Sequence, residues 1–282
     1  TSLPNGQWAL GTSLEGLIVL DTKRRVFRHL TKKSGIQNNN ILCVFDDQAG
    51  NLWLGLDNGI DCVVMDSPFT SIVPDGELQG TGYTAAMFQN QLYLGVSNGV
   101  YVAPWQKFYN PEQEPFFQKV PSTDGQVWSL NTIGNNLLLG HHEGAFRLSG
   151  NNAARLSSEP GAWTFVQLTG DYMLGGNYNG LVLYKKTGQG WEFKQKIEGL
   201  NESCRIMVKD ADGSVWISHP YRGLYRIVWS DENKARPAVT FFNAANGLPS
   251  DLNNYVFQIA GKAVVATERG VYRFDPSGKK FV

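Results

Sequence analysis

Long apolar runs are missing from this sequence. Stretches such as Leu17-Ile18-Val19-Leu20 stop after four or five residues, well short of the roughly 20 needed to cross a bilayer as a helix. Sustained 3.6-residue periodicity is missing as well, which argues against a helical domain. Net charge is absent, with 25 Lys plus Arg against 25 Asp plus Glu, so no basic face steers the chain toward nucleic acid. There are three cysteines, Cys43, Cys62 and Cys204, and no CxxC. Odd in number and widely spaced, they set up neither a disulfide framework nor a zinc site and are expected to be buried free thiols. The chain opens at Thr1 without an initiator Met or a signal-like segment, and is read as a mature form or an excised piece.

Glycine and tryptophan are abundant, at 31 and 8 of 282 residues. That pairing fits many short strands joined by tight turns, because Gly supplies the positive φ such turns need. One motif recurs: an apolar run, a small residue, a few polar residues, Gly, and another apolar run. It reads Trp8-Ala9-Leu10-Gly11 with Gly16, then Leu52-Trp53-Leu54-Gly55 with Gly59, and Leu92-Tyr93-Leu94-Gly95 with Gly99. It continues as Leu138-Leu139-Gly140 with Gly144, Met173-Leu174-Gly175 with Gly180, Val215-Trp216-Ile217-Ser218 with Gly223, and Val264-Val265-Ala266-Thr267 with Gly270. Successive second glycines lie 43, 40, 45, 36, 43 and 47 residues apart. That is blade spacing for an all-β propeller of about seven four-stranded blades in one domain, residues 1–282.

Residues 40–73 show one unit. Ile41 to Phe45 is an inner strand, Leu52 to Leu56 returns, Asn58-Gly59 turns tightly, Ile60 to Val64 is third and Phe69 to Val73 fourth. The small residues Gly55, Gly95, Gly140, Gly175 and Ser218 are expected to let neighbouring blades approach, and Trp53, Trp128, Trp163, Trp191 and Trp216 to pack between blades. The turn glycines are architectural, since no helix follows to present its N-terminus to a phosphate. The first copy begins at its second strand, so the first blade is expected to lack its inner strand.

The stretch Asp46-Asp47-Gln48-Ala49-Gly50-Asn51-Leu52-Trp53-Leu54-Gly55-Leu56-Asp57-Asn58-Gly59-Ile60 resembles the two-component regulator propeller repeat. So does Asp210-Ala211-Asp212-Gly213-Ser214-Val215-Trp216-Ile217-Ser218 followed by Gly223-Leu224-Tyr225-Arg226. Gly247-Leu248-Pro249-Ser250-Asp251-Leu252-Asn253-Asn254-Tyr255-Val256 is similar to the linker and inner strand that open a repeat. The resemblance implies the periplasmic sensor region of a membrane-bound regulator, of a kind common in gut Bacteroidetes, some of which respond to oligosaccharides. It implies adjacent sensor domains of the same chain, and a homodimer, as partners. It carries no ligand residues with it.

Propellers commonly bind ligands at the face carrying the second-to-third turns. Their polar and aromatic content rises over the last four copies. His142, Tyr178, Asn179, His219, Tyr221 and Arg222 offer stacking and hydrogen bonding to a sugar ring, while Glu268 and Arg269 suit a charged ligand group. His141, His142 and Glu143 invite a metal reading, but neighbouring strand residues point in opposite directions and no second cluster has ligand spacing. No catalytic triad or paired-carboxylate signature stands out. The expectation is a non-catalytic, cofactor-free module that binds a small molecule or oligosaccharide and no nucleic acid. The alternatives are a propeller lyase or glycosidase acting on polysaccharide, and a passive docking scaffold. Insertion 104–115, with Trp105, Phe108 and Tyr109, is read as a docking element or a loop folded on its own blade.

Overall fold

The computed structural model describes residues 1–67, 69, 80–105, 117–188, 190–219, 221–231, 234 and 236–282. The described residues form antiparallel sheets repeated along the chain, with two short 3-10 turns. They divide into two compact units, Thr1–Gln79 with Trp105–Phe117, and Gly80–Pro104 with Gln118–Val282.

The first unit holds two sheets. One comprises Trp8–Gly11, Leu17–Leu20 and Val26–Leu30; the other Ile41–Asp46, Asn51–Leu56 and Gly59–Val64. Ala9, Leu17 and Val19 of the first bury against Leu52, Leu54 and Leu56 of the second. The inner strand of the first blade is present only at its outer end. Ala9 N–H donates to the Thr1 carbonyl and Leu3 N–H to the Gln7 carbonyl, at 2.9 and 2.8 Å, with Ser2 opposite Trp8. The expected fourth strand at 69–73 and most of insertion 104–115 lie outside the described residues.

The second unit holds five sheets in chain order. Their first strands are Gly82–Phe88, Val127–Ile133, Thr164–Gln167, Ile206–Lys209 and Tyr255–Ile259. Each sheet then runs second, third and fourth strand outward. In the last sheet the third strand, Gly270–Tyr272, continues past Arg273 as Phe274–Asp275. Lys280–Phe281 pairs with that continuation, and Arg273 and Val282 exchange backbone bonds of 2.8 and 2.9 Å.

Apolar layers separate consecutive sheets, and strand alternation builds them. Leu137 and Leu139 face Tyr93, Val100 and Val102 of the sheet before, whereas Leu138 faces Phe165, Met173 and Trp191 of the sheet after. Leu174, Leu181 and Leu183 bury against Met207, Val215 and Ile217; Trp216, Leu224 and Phe242 bury against Val256, Val265 and Phe281. Second strands are therefore apolar on both faces, which is why they read as unbroken hydrophobic runs.

The repeat motif has a visible physical content. In the turn after the first strand, Asp47 accepts hydrogen bonds from the backbone of Ala49 and Asn51, the Asn51 amide and the Trp53 indole. The Asn51 amide is the largest of the influences that hold the Asp47 carboxyl down to about 2. Asp210 takes the Trp216 indole at 3.2 Å from the same six-residue spacing. In the linkers, Gly35 and Gly247 end 3-10 turns in left-handed backbone. Each is followed by a buried apolar anchor, Ile36 or Leu248.

The small residues act as expected with two corrections, the first being that Gly55 faces its own sheet, where a Cβ would lie 2.5 Å from Cys43. A Cβ on Gly95 would meet Val127 of the next sheet at 2.5 Å, and one on Gly140 would meet the Ala162 carbonyl, in the connector leading to the next sheet, at 2.5 Å. In the following copy the close approach belongs to Gly176, at 2.0 Å from the Cys204 carbonyl, while Gly175 faces its own sheet at Tyr184. Ser218 accepts the Val256 N–H at 2.7 Å. Two further expectations change. Cys43 and Cys62 are exposed and only Cys204 is buried. Trp191 and Trp216 are buried between sheets, but Trp53, Trp128 and Trp163 are not.

The turn glycines predict a sharp contrast. Gly144 has φ +136° and a Cβ there would lie 2.1 Å from the Ser157 carbonyl, whereas Gly150, at φ +55°, has open space. Gly144→Ala is expected to lose about 1–3 kcal/mol of stability in chemical denaturation, and Gly150→Asn to stay within about 0.5 kcal/mol of the parent. Equal losses would contradict the role given to the turn.

Candidate functional site

The starts of the first three inner strands of the second unit share one rule. Thr84 pairs with Gly95, Ser129 with Gly140, and Thr164 with Gly176, so a small hydroxyl residue sits opposite a glycine. In the next sheet Ile206 pairs with Ser218. The residue just before each of these is Tyr83, Trp128, Trp163 and Arg205. Tyr83 and Trp128 occupy β-bulges, which re-aim a side chain away from the regular pleat.

These four side chains form one continuous row across four sheets. The Tyr83 and Trp128 ring centroids are 5.5 Å apart and edge-on, Trp128 and Trp163 are 4.3 Å apart, and the Arg205 guanidinium lies 4.8 Å from the Trp163 centroid. Tyr178, from a second-to-third turn, closes on both tryptophans at 6.3 and 5.1 Å. The Trp128 indole N–H donates to the Tyr178 hydroxyl at 3.0 Å, and that of Trp163 to the Ser203 hydroxyl at 3.1 Å. With their polar edges committed, the rings are locked in place. Tyr83 is 45% and Tyr178 39% exposed, and Trp128 and Trp163 are half-buried.

The connectors that deliver these residues are fixed by backbone bonds. Trp163 N–H donates to the Gly176 carbonyl at 2.7 Å and Ala162 N–H to that of His141 at 3.0 Å. The buried Asn177 side-chain amide donates to the carbonyls of Glu159 and Pro160, while the Asn177 backbone carbonyl accepts the Cys204 N–H. One residue thus holds both the connector leading to Trp163 and the one leading to Arg205. The Tyr178 ring lies directly over Gly161, where a Cβ would collide with it at 2.0 Å.

Of the residues expected at the site, Tyr178 belongs to this row and Asn179 is exposed beside it. His219 and Arg222 are instead bound to Glu202, His219 at 3.4 Å and Arg222 in close contact. Tyr221 is exposed, its ring 6.3 Å from that of His219. His142 lies over Gly125, and its Nδ1 accepts the Gln126 N–H at 3.1 Å. Glu268 and Arg269 are exposed in the last sheet's turn, and among the described residues no hydrogen bond or ring contact joins them to Tyr178. Sequence reading placed Trp128 and Trp163 in the blade interior and missed Tyr83 and Arg205. The signal was an aromatic–hydroxyl pair, Tyr83-Thr84, Trp128-Ser129 and Trp163-Thr164, in three consecutive repeats.

The histidine pair divides as strand geometry requires. His141 is buried and His142 partly exposed, and no His, Cys, Asp and Glu group among the described residues has the makings of a metal site. Burial, before any charge effect, pulls His141 down to about 4. The folded protein therefore keeps His141 neutral between about pH 6.5 and 4, while the unfolded chain takes up a proton near 6.5. Stability from this group is complete above 6.5 and is lost as pH falls toward 4. Thermal melts are expected to show a falling Tm across that window and a shallower fall in His141→Gln. An unchanged slope would contradict the assignment.

The geometry agrees with what the chain resembles. Residues 35–58 match the model of the two component regulator propeller family. No curated protein matches the sequence. Among solved structures, the extracellular domain of the hybrid two component system BT3049 from B. thetaiotaomicron superposes with TM-score 0.69 at 16% identity, over 100% of this chain and 40% of that one. The extracellular domain of the one component system BT4673 from the same organism gives 0.57 at 17% identity, over 100% and 42%. The WD40 propeller domain of Doa1 gives 0.50 at 13%, over 96% and 90%. The chain spans less than half the length of the two bacterial domains, and at these identities the likeness is one of fold. This chain has a β-propeller fold, and its residues 35–58 match the two-component regulator propeller repeat.

Proposed function

We propose that this chain is a ligand-sensing propeller in the periplasmic part of a membrane-bound signalling regulator, and that it binds an oligosaccharide fragment without transforming it. The observation that carries the reading is the row Tyr83, Trp128, Trp163 and Tyr178, in which both tyrosines are exposed, both tryptophans half-exposed, and the two indole N–H groups used internally. Preorganised aromatic faces of this kind present a large contact area at low entropic cost to an amphipathic ligand such as a sugar. Three carboxylates of these turns and connectors support a non-catalytic role. Glu202 is held by His219 and Arg222, Glu143 by Arg155 and Glu159 by Lys196, whereas a glycosidase needs two free carboxyl groups across the scissile bond. Signalling then requires a ligand that binds one arrangement of the whole regulator more tightly than another.

Titration calorimetry against an oligosaccharide panel tests this. Trp128→Ala and Trp163→Ala are each expected to weaken binding about tenfold or more, corresponding to roughly 1.4 kcal/mol. Trp53→Ala, in the other unit, is expected to leave it unchanged. Binding that survives both substitutions, or release of a cleaved product, would overturn the proposal.

A further inference from the structure

The aromatic row ends in a cation with no carboxylate of its own. Arg205 is exposed, and its guanidinium carbon lies over the Trp163 ring, 4.8 Å from the centroid. Among the described residues, nothing hydrogen-bonds or ion-pairs with its side chain. The nearest acid in the chain, Glu202, is turned the other way. It binds Arg222 and His219, and its carboxylate bears on the Tyr225 hydroxyl. The backbone fixes that choice, because the Glu202 carbonyl accepts the Gly180 N–H and Asn177 accepts the N–H of Cys204. Of two arginines on this side of the sheet, Arg222 is therefore neutralised and Arg205 is not.

A guanidinium over a ring keeps its edge free. Five donors in a fixed fork match a carboxylate in two parallel hydrogen bonds, and the charge strengthens each of them. The two indole N–H groups beside it are already spent on Tyr178 and Ser203. Hydrogen-bond donors at this end of the row thus come from Arg205, while the tryptophans offer only faces.

We infer that the ligand is an acidic sugar, an oligosaccharide in which a uronate carboxylate pairs with Arg205 while the pyranose rings lie along Trp163 and Trp128. This rests on the oligosaccharide-binding reading above and adds the charge of the ligand to it. Arg205 acts as a specificity residue, selecting the anionic sugar over its neutral form.

The test is calorimetric titration of the full 282-residue chain with trisaccharides of galacturonate and of glucuronate, their fully methyl-esterified forms, and a sulfated neutral trisaccharide at matched salt. At least one uronate is expected to bind tenfold or more tightly than its methyl ester. Arg205→Gln is expected to abolish that difference while keeping the weaker neutral binding, and Arg205→Lys to recover only part of it. Because Arg205 is exposed, thermal melts of both variants should match the parent and show that the fold is intact. Equal binding of acid and ester, unaffected by Arg205→Gln but lost in Trp163→Ala, would overturn the acidic-sugar inference and leave the platform standing. Sulfated sugar binding as tightly as the uronate would overturn the carboxylate assignment. No binding of any sugar would overturn both readings.

Discussion

The close approach of consecutive sheets at one register point governs the rest of the second unit. Where a first strand begins, Thr84, Ser129 or Thr164 lies opposite Gly95, Gly140 or Gly176, and atoms of the next sheet or of the connector leading to it occupy the space a Cβ would take. Close packing leaves little room for compromise there, since a buried contact is stiff to even one added methyl. Two consequences follow from the same contact. The apolar layers between sheets come into register, and the residue preceding the contact has no place inside and is turned outward. Repeating the contact in three successive sheets lines up Tyr83, Trp128 and Trp163, and the fourth sheet contributes Arg205. The row is a by-product of how the sheets stack.

The polar connectors refine what the stacking positions. Asn177 ties two of them to one residue, and Glu202 draws His219 and Arg222 toward itself. A cation over a ring is left beside two locked indoles. Such a surface is rigid before any ligand arrives, and rigidity reduces the ordering cost of binding. It also fits a module that must report occupancy rather than perform chemistry.

Much of the fold was legible in the residues, because the turn glycines and two-faced apolar second strands are local features that survive repetition. Gly144 and Gly180 could be assigned their turns from spacing alone, as could Trp216 its buried place. The site was less legible, since it depends on register between strands. Trp191 and Trp128 look alike as strand tryptophans, yet the first is buried and the second lies in a bulge one residue before a glycine contact. A bulge shifts a side chain from one face to another without any change in composition. Likewise His219 and Arg222 resemble ligand groups until Glu202, some 20 residues earlier, is seen to hold Arg222. Gly175 and Gly176 differ by one position, and only pairing shows which meets the neighbouring sheet.

The central claim is that ligand meets the protein at the outward tryptophans of the row and nowhere in the sheet interior. Fluorine NMR of the chain labelled with 5-fluorotryptophan tests it directly, with Trp128, Trp163, Trp191 and Trp216 assigned by single substitution. A bound oligosaccharide should shift the Trp128 and Trp163 resonances and leave Trp191 and Trp216 where they are. Shifts confined to the buried pair, or binding with none of the four disturbed, would contradict the account.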